Sequence, residues 1–457
     1  MGKTYDIIII GTGTAGRTLA GKIARSGLKT AIIDSREYGG TCPLRGCDPK
    51  KVLSTVSDIT DWNNRLIGKG AGIKNPSEID WPSLIKFKRT FTEEYPQSVE
   101  NYLAEIGVDT YYGRASFENQ RNIIVGKDRL IGKYIFLGTG SKPRKLSIPG
   151  EEFITTSEGF MEIEKLPEKI IFIGGGYISF EFAHIARRAG SKVTILHRSK
   201  KLLGSFDSQM VNLLVKVSEA AGIKILINKP VTAIEKEADG FLVKTEFKSE
   251  TGTEIQEFRA DLVVHGAGRV PDIKDLQLEK AGVEIEKGAI RVNKYMQTSN
   301  PYIYAGGDCV SEGMQLTPVA IHQAQVAAAN ILKADSTEAD YSGIPSAVFT
   351  TPALASVGIN GPDNSELNNA NSGRYKVIFH DRSNWRTTRR AGLEYAASKI
   401  IIDELEDRLL GAHILGPNAE EVINIFAAII RLGLKASDIK KLIFSYPTVS
   451  SDIVYML

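Results

Sequence analysis

The sequence predicts an α/β fold in which two doubly wound nucleotide-binding sheets are followed by a further α+β domain. Three observations predict it: a glycine-rich strand–turn–helix plan that occurs twice, a close cysteine pair just after its first copy, and a change of pattern beyond Tyr341. The first copy runs from Asp6-Ile7-Ile8-Ile9-Ile10 into Gly11-Thr12-Gly13-Thr14-Ala15-Gly16, then through a helical pattern to Lys29-Thr30-Ala31-Ile32-Ile33-Asp34. The second runs from Ile170-Ile171-Phe172-Ile173 through Gly174-Gly175-Gly176-Tyr177-Ile178-Ser179 to Ser191-Lys192-Val193-Thr194-Ile195-Leu196-His197. The separation from Gly11 to Asp34 equals that from Gly174 to His197. A lone GxGxxG is weak, but with a strand before it, a helix after it and a repeat of the spacing it marks a Rossmann-like dinucleotide site. Each loop would bring backbone N–H groups to a pyrophosphate at a helix N-terminus. Glycine turns that bind nothing are the bland alternative.

The two copies differ where the adenosine ribose is read. Copy one ends on Asp34, whose carboxylate accepts hydrogen bonds from ribose hydroxyls. Copy two ends on His197 and Arg198, with Lys200 and Lys201 beyond, a loss of acid and gain of cations that suits a 2′-phosphate and hence NADPH over NADH. A solvated basic loop is the alternative reading. Ser179 takes the place of the third glycine, which should loosen helix–strand packing without removing the phosphate cradle.

Composition is that of an ordinary globular protein: 457 residues, 42% hydrophobic, 24% charged, formal net charge +3. That length allows two to four domains, and the charge balance calls for neither nucleic acid nor disorder. The 43 glycines gather after apolar runs, as phosphate-binding turns require. With three cysteines the chain is no secreted disulfide scaffold, and a reducing compartment, the cytoplasm, is expected. The strand beginning near Asp6 leaves no room for a signal peptide, and no apolar run reaches the length of a membrane span.

Cys42 and Cys47 lie in Gly39-Gly40-Thr41-Cys42-Pro43-Leu44-Arg45-Gly46-Cys47-Asp48-Pro49-Lys50-Lys51. In a straight helix such positions stand roughly 8–9 Å apart, beyond the roughly 7 Å that a disulfide spans. A distorted helix start is therefore required, and Pro43, Gly46 and Pro49 supply it. Two unrelated thiols or half of a zinc site are the alternatives; with only Cys309 left over, a metal site lacks ligands.

The remaining pattern gives short strands over Arg129–Ser141 and Ala260–Arg269, ending in Gly138-Thr139-Gly140-Ser141 and Gly266-Ala267-Gly268-Arg269, read as crossings between nucleotide domains. Another strand, Tyr302-Ile303-Tyr304-Ala305-Gly306-Gly307-Asp308, ends in glycines and an acid. From Tyr341 on, turns rich in Gly, Asn and Pro alternate with β-prone runs such as Ala347-Val348-Phe349, and an amphipathic helix is expected over Ala419–Leu434.

Taken together with Leu316-Thr317-Pro318-Val319-Ala320, these ordered motifs resemble the flavoprotein pyridine nucleotide-disulfide oxidoreductases, the family of dihydrolipoamide dehydrogenase, glutathione reductase and mercuric reductase, over essentially the whole chain. The resemblance implies two Rossmann-like domains plus an α+β dimerisation domain: residues 1–147 and 268–342 for FAD, 148–267 for the nicotinamide cofactor and 343–457 for dimerisation. It implies FAD on Gly11, Gly13, Gly16, Asp34, Gly40, Thr41, Gly113, Thr139, Gly140, Ser141, Asp308 and Thr317. It implies NADPH, less readily NADH, on Gly174, Gly176, Tyr177, His197, Arg198, Gly268 and Arg269, with Tyr177 covering the flavin until nicotinamide displaces it. Lys51 and Glu181 match an ion pair beside the reactive flavin nitrogen. Hydride would pass from NADPH to FAD and two electrons on to a redox-active Cys42–Cys47 disulfide, Cys47 facing the flavin and Cys42 attacking the acceptor, with a helix N-terminus and Lys51 favouring the thiolate. A homodimer, a small-molecule acceptor, no metal and no membrane are implied as well.

One departure bears on the reaction. Where the family's disulfide reductases carry a proton-donating His-Pro-Thr followed by Glu, this chain reads Ser445-Tyr446-Pro447-Thr448-Val449-Ser450-Ser451-Asp452, so Tyr446 holds the His position and Ser451 the Glu position. A phenol with pKa near 10 is a poor proton shuttle at neutral pH. The expected acceptor is therefore a quinone, a metal ion or an unusual disulfide. A conventional dihydrolipoamide dehydrogenase tolerating Tyr446, or a flavin-holding binding protein, are the competing readings.

Overall fold

The computed structural model describes residues 2–70, 72, 75–249, 252–360 and 374–457. The chain forms two compact units, one of Met1–Lys50, Lys86–Arg144 and Arg269–Tyr341, the other of Lys51–Ile85, Lys145–Gly268 and Ser342–Leu457.

The first unit is built on a sheet in the order Asp109–Tyr112, Thr30–Asp34, Lys3–Ile10, Asp128–Leu137, Asn122–Val125, Ala115–Phe117, with Ile303–Ala305 also pairing to Asp128–Leu137. The central strands are parallel: Ile8 stands opposite Ala31 on one side and Ile135 on the other. Ile7, Ile8 and Ile9 are fully buried, as an unbroken apolar run requires when both faces of a sheet are covered. The helices Thr14–Ala24 and Thr317–Leu332 pack together over this sheet. The expected strand Arg129–Ser141 divides into Asp128–Leu137 and Ser141–Pro143, and Ser141–Pro143 pairs antiparallel with Arg269–Pro271, so the two crossing segments bond to each other.

The second unit repeats the plan. Ile223–Leu226, Lys192–Leu196, Lys169–Ile173 and Leu262–His265 form a parallel sheet in that order, matching the first sheet through its fourth strand. A three-stranded antiparallel sheet, Val231–Glu237, Gly240–Ser249 and Gly252–Ala260, accompanies it. The expected strand Ala260–Arg269 is Leu262–His265, with the end of Gly252–Ala260 just before it and the start of Arg269–Pro271 just after it. The carboxy-terminal part is a five-stranded antiparallel sheet in the order Pro345–Val348, Ala353–Gly358, Arg408–Gly416, Ala397–Asp403, Tyr375–Asp381, packed by the helix Ala419–Leu432. That helix stops two residues short of the expected Leu434 because Gly433 turns left-handed, with φ 63°. Residues 361–373 of the expected turn-rich stretch lie outside the described residues.

Within this unit a buried ion pair joins the start of the helix Ser208–Ala220 to the carboxy-terminal sheet. Lys399 Nζ donates to Asp207 Oδ2 at 2.7 Å with both side chains 1% exposed. Asp207 Oδ1 also accepts from the N–H groups of Gln209 and Met210, capping the helix Ser208–Ala220. Among the described residues no helix is long and apolar enough to cross a membrane.

Candidate active site

The two cysteines are separated by a break rather than by a bend. The helix Thr41–Arg45 ends at Gly46, whose φ −144° and ψ −114° leave helical space, and a new helix begins at Cys47. A Cβ on Gly46 would lie 3.0 Å from the Thr41 carbonyl oxygen and 3.3 Å from Cys42 Cα, so glycine lets the second helix start fold back on the first. The expected distortion thus sits at Gly46; Pro43 lies within the first helix and Pro49 in the first turn of the second. Cys42 and Cys47 are free thiols in the structure, not the disulfide, and each perturbs the other through a hydrogen bond.

Thr317 joins them. Its hydroxyl donates to Cys42 Sγ at 3.1 Å and stands 3.8 Å from Cys47 Sγ. Thr317 opens the sixteen-residue helix Thr317–Leu332, whose positive end therefore faces the sulfurs. The hydrogen bond from Cys42 brings the Cys47 thiol down to about 6; the Thr317 hydroxyl and Lys50 act in the same sense, while burial and Asp48 oppose. The same hydrogen bond, then burial, pushes Cys42 up. The two shifts run in opposite directions, favouring the proton on Cys42 and negative charge on Cys47. Cys309 is a different thiol: fully buried, donating to the Leu137 and Gly306 carbonyls, and pushed up to about 11 by burial.

The first glycine turn is shaped for close approach. Gly11 has φ 105°, and a Cβ there would collide with the Gly138 carbonyl at 2.3 Å, while one on Gly16 would meet the Gly11 carbonyl at 1.9 Å. Gly13 caps the helix Thr14–Ala24 without a side chain, so the first-turn N–H groups have no side-chain cap and suit an anion. Asp34 accepts from the Thr12 N–H at 2.7 Å and the Thr12 hydroxyl at 2.6 Å, and the latter oxygen accepts from the Gly39 N–H. Gly113 donates its N–H to the Asp34 carbonyl. Farther along the sheet, Ser141 donates to Asp308 at 2.9 Å while Arg269 holds both the Ser141 hydroxyl and its carbonyl. Thr139 and Gly140 lie between these groups and Leu137 in the chain, and Gly140 has open space on its Cβ side. Such a glycine cradle with uncapped N–H groups fits a dinucleotide's pyrophosphate.

In the second unit, Gly174 has φ 113°, a Cβ on it would lie 2.2 Å from the Gly266 carbonyl, and Gly176 caps the helix Tyr177–Arg188 without a side chain. Ser179 does not loosen the packing as expected: it is fully buried, and Gly266 makes room for it, since a Cβ there would strike Ser179 Oγ at 1.9 Å. Gly268 follows with φ 100°. Tyr177 is half exposed at the helix start.

His197 lies on the turn itself: a Cβ on Gly175 would fall 2.8 Å from His197 Cγ, and Nε2 donates to the Lys201 carbonyl at 3.0 Å. Burial lowers its pKa and so favours the neutral ring. Arg198 and Lys200 are exposed.

Lys51 and Glu181 are organised around Phe349, a residue that sequence reasoning missed. Phe349 N–H donates to Glu181 Oε1 at 2.9 Å, and Lys51 Nζ lies 4.5 Å from the Phe349 ring centroid. Glu181 is 3% exposed. Its β-prone run was legible; its service to a glutamate on a distant helix was not. Tyr446 is 70% exposed. Ser451 is buried and bonds to Thr448, and the carboxylate of that region is Asp452, which accepts from the Thr387 hydroxyl.

Comparison with known proteins adds to this geometry. Residues 5–324 match the family model described as pyridine nucleotide-disulphide oxidoreductase, and residues 344–457 match the dimerisation domain of the same name. Over 464 residues the chain is 31% identical to a glutathione reductase of Nostoc sp., covering 99% of each protein. A dihydrolipoyl dehydrogenase of Chlamydia muridarum is 31% identical over 463 residues, covering 98% of this chain and 95% of that one. Among solved structures, the HOCl-induced flavoprotein disulfide reductase RclA from Escherichia coli matches with a TM-score of 0.86 at 26% identity over 99% of both chains.

Proposed function

The chain belongs to the pyridine nucleotide-disulphide oxidoreductase family, and on that premise we propose that it passes electrons from NADPH through FAD and the Cys42–Cys47 pair to a small-molecule acceptor. It is a flavoprotein disulfide oxidoreductase of the glutathione reductase and lipoamide dehydrogenase type. The family binds FAD and a pyridine nucleotide and folds as two Rossmann-like domains with a dimerisation domain. The observation that carries the proposal is the Thr317 hydroxyl set between two sulfurs of unequal proton affinity.

FAD, when bound, supplies two-electron exchange between a nicotinamide and a disulfide. The residues assigned to hold it are Gly11, Gly13, Gly16, Asp34, Gly40, Thr41, Gly113, Thr139, Gly140, Ser141 and Asp308. Gly174, Gly176, Tyr177, Gly268 and Arg269 serve the nicotinamide cofactor, with Arg198 rather than neutral His197 carrying the charge that selects NADPH. Lys51, with Glu181 steadied by the Phe349 N–H, favours negative charge on the reduced ring. In the acceptor half-reaction Cys42 sulfur attacks and gives up its proton, for which Cys47 is the hydrogen-bonded acceptor. Cys47 sulfur then attacks Cys42, the Cys42–Cys47 disulfide forms, and the acceptor leaves carrying two electrons and the pair's single proton, any second proton coming from solvent.

Residues 1–147 and 268–342, 148–267 and 343–457 are the proposed FAD, nicotinamide and dimerisation domains of a cytoplasmic homodimer. The exposed Tyr446 and Ile443, at 70% and 99%, support a partner surface in the last of these. Cys47→Ser tests the assignment: the wild-type protein reduced by NADPH should show a long-wavelength absorbance band from the thiolate, and the variant none. A band surviving in the variant would overturn it.

A further inference from the structure

We propose that a cavity of about 540 Å³ lined by Lys69, Arg386, Arg389 and Arg390 binds a small polyphosphorylated anion. The run Arg386-Thr387-Thr388-Arg389-Arg390 folds as a single helical turn. Thr387 and Thr388 are buried on its inner side, where the Thr387 hydroxyl donates to Asp452. The spacing i, i+3, i+4 then puts Arg386, Arg389 and Arg390 together on the outer face. The turn is anchored at its end as well, because Arg65 donates to the Ala391 carbonyl and a Cβ on Gly392 would lie 3.3 Å from Arg65 Cβ. Lys69 reaches the same cavity from the segment after the helix Cys47–Arg65.

The charge is poorly balanced. Glu394 is the one carboxylate in the lining, and Asp452 acts on Arg390 at longer range, while Arg390 Nη1 also donates to the Pro447 carbonyl at 3.5 Å. Among the described residues none of the four cations forms an ion pair. Three guanidiniums on one helical turn repel one another, so the arrangement is costly without a counter-anion. Guanidinium forks match phosphate oxygens two at a time, and repeated phosphates fit a fan of such forks better than an isolated carboxylate does. Leu393 is the only large apolar side chain in the lining and no aromatic joins it, so recognition falls on a phosphate chain rather than on a ring stacked in the cavity.

Calorimetric titration of the FAD-loaded full chain with inorganic tripolyphosphate tests this, with saturating NADPH present so that the nucleotide site does not report. At about 50 mM salt, where screening is weak, one saturable site per chain is expected. The R386A/R389A variant should bind at least about tenfold more weakly, roughly 1.4 kcal/mol, with flavin content and NADPH-driven flavin reduction unchanged. K69Q gives a second, independent weakening should the double variant fold poorly. ATP in place of tripolyphosphate separates the sources: equal affinity marks an inorganic polyphosphate chain, tighter binding a nucleotide. Absence of saturable tripolyphosphate binding, or equal affinity in wild type and both variants, would overturn the proposal.

Discussion

Gly13 and Gly40 meet backbone to backbone: a Cβ added to Gly40 would stand 2.3 Å from the Cα of Gly13. Gly13 caps the helix behind the phosphate-binding turn and Gly40 caps the helix that carries Cys42. The turn that suits a pyrophosphate and the start of the helix carrying Cys42 are thereby fixed to each other, as the proposed electron transfer would require.

Gly40→Ala should break that contact. The backbone at Gly40, φ 77° and ψ −166°, is a region nearly reserved for glycine, and forcing alanine into it costs about 1–3 kcal/mol before the collision is counted. Thermal unfolding and flavin retention on dilution should both fall clearly. Gly107→Ala, where φ is +72° but the Cβ side is open, is the control and should keep its flavin.

Thr317→Val removes the hydroxyl that the two sulfurs share while keeping shape. The charged form of Cys47 loses a stabilising hydrogen bond, so its pKa should rise from about 6 toward the ordinary thiol range. A spectrophotometric pH titration of the reduced protein should show the thiolate signal moving to higher pH, and an unchanged midpoint would contradict the assignment. The sign for stability follows. A depressed Cys47 contributes stability to the reduced protein above its unfolded value, near 8.5, and that contribution is lost as pH falls through about 6. Cys42, raised, contributes in the opposite sense, its stabilisation present below the unfolded value and lost at higher pH.

These two residues also show what a sequence discloses. Gly11, Gly13 and Gly16 announce a tight, close-packed turn because glycines so spaced after an apolar strand have few other uses. Gly46 was legible because proximity of Cys42 and Cys47 demands a local break. Thr317 was read only as part of a flavin motif; its place between the sulfurs depends on how a helix some 270 positions away packs, and local pattern carries no such information. The surroundings of His197 were hidden for the same reason: its residue type suggested a cation, while the turn it lies on half-buries the ring and favours its neutral form.

The Lys399–Asp207 pair offers a prediction about the fold alone. Removing one partner strands a buried charge, which typically costs about 3–5 kcal/mol, so Lys399→Met should strongly destabilise the chain in denaturant unfolding. Lys399→Met combined with Asp207→Asn should recover part of the loss, since the amide can still cap the helix Ser208–Ala220. Additive losses would show that the pair does not interact.

Nucleotide choice should rest on Arg198. Arg198→Glu should lower flavin reduction by NADPH relative to NADH by about tenfold or more, about 1.4 kcal/mol, in stopped-flow mixing, whereas His197→Gln should change the ratio little. An NADH preference in the unmodified protein would refute the assignment.

Tyr446 bears on the acceptor. General acid catalysis is typically worth about 10²–10⁴-fold, so reduction of small disulfides should be slower by that order while flavin reduction by NADPH stays fast and quinones are little affected. Tyr446→His should recover part of the rate; Ser451→Glu should not help, because Ser451 is buried and bonded to Thr448. Efficient glutathione or lipoamide turnover by the unmodified protein, about 10²–10³ s⁻¹, would contradict this.

The proposed function stands on electron exchange between the bound flavin and the Cys42 and Cys47 pair. Anaerobic reductive titration of the FAD-loaded protein measures it directly. Uptake of about four electrons per flavin is expected, two for the cofactor and two for the cysteine pair, with a long-wavelength band at the midpoint. Uptake of only two electrons per flavin, without that band, would contradict it.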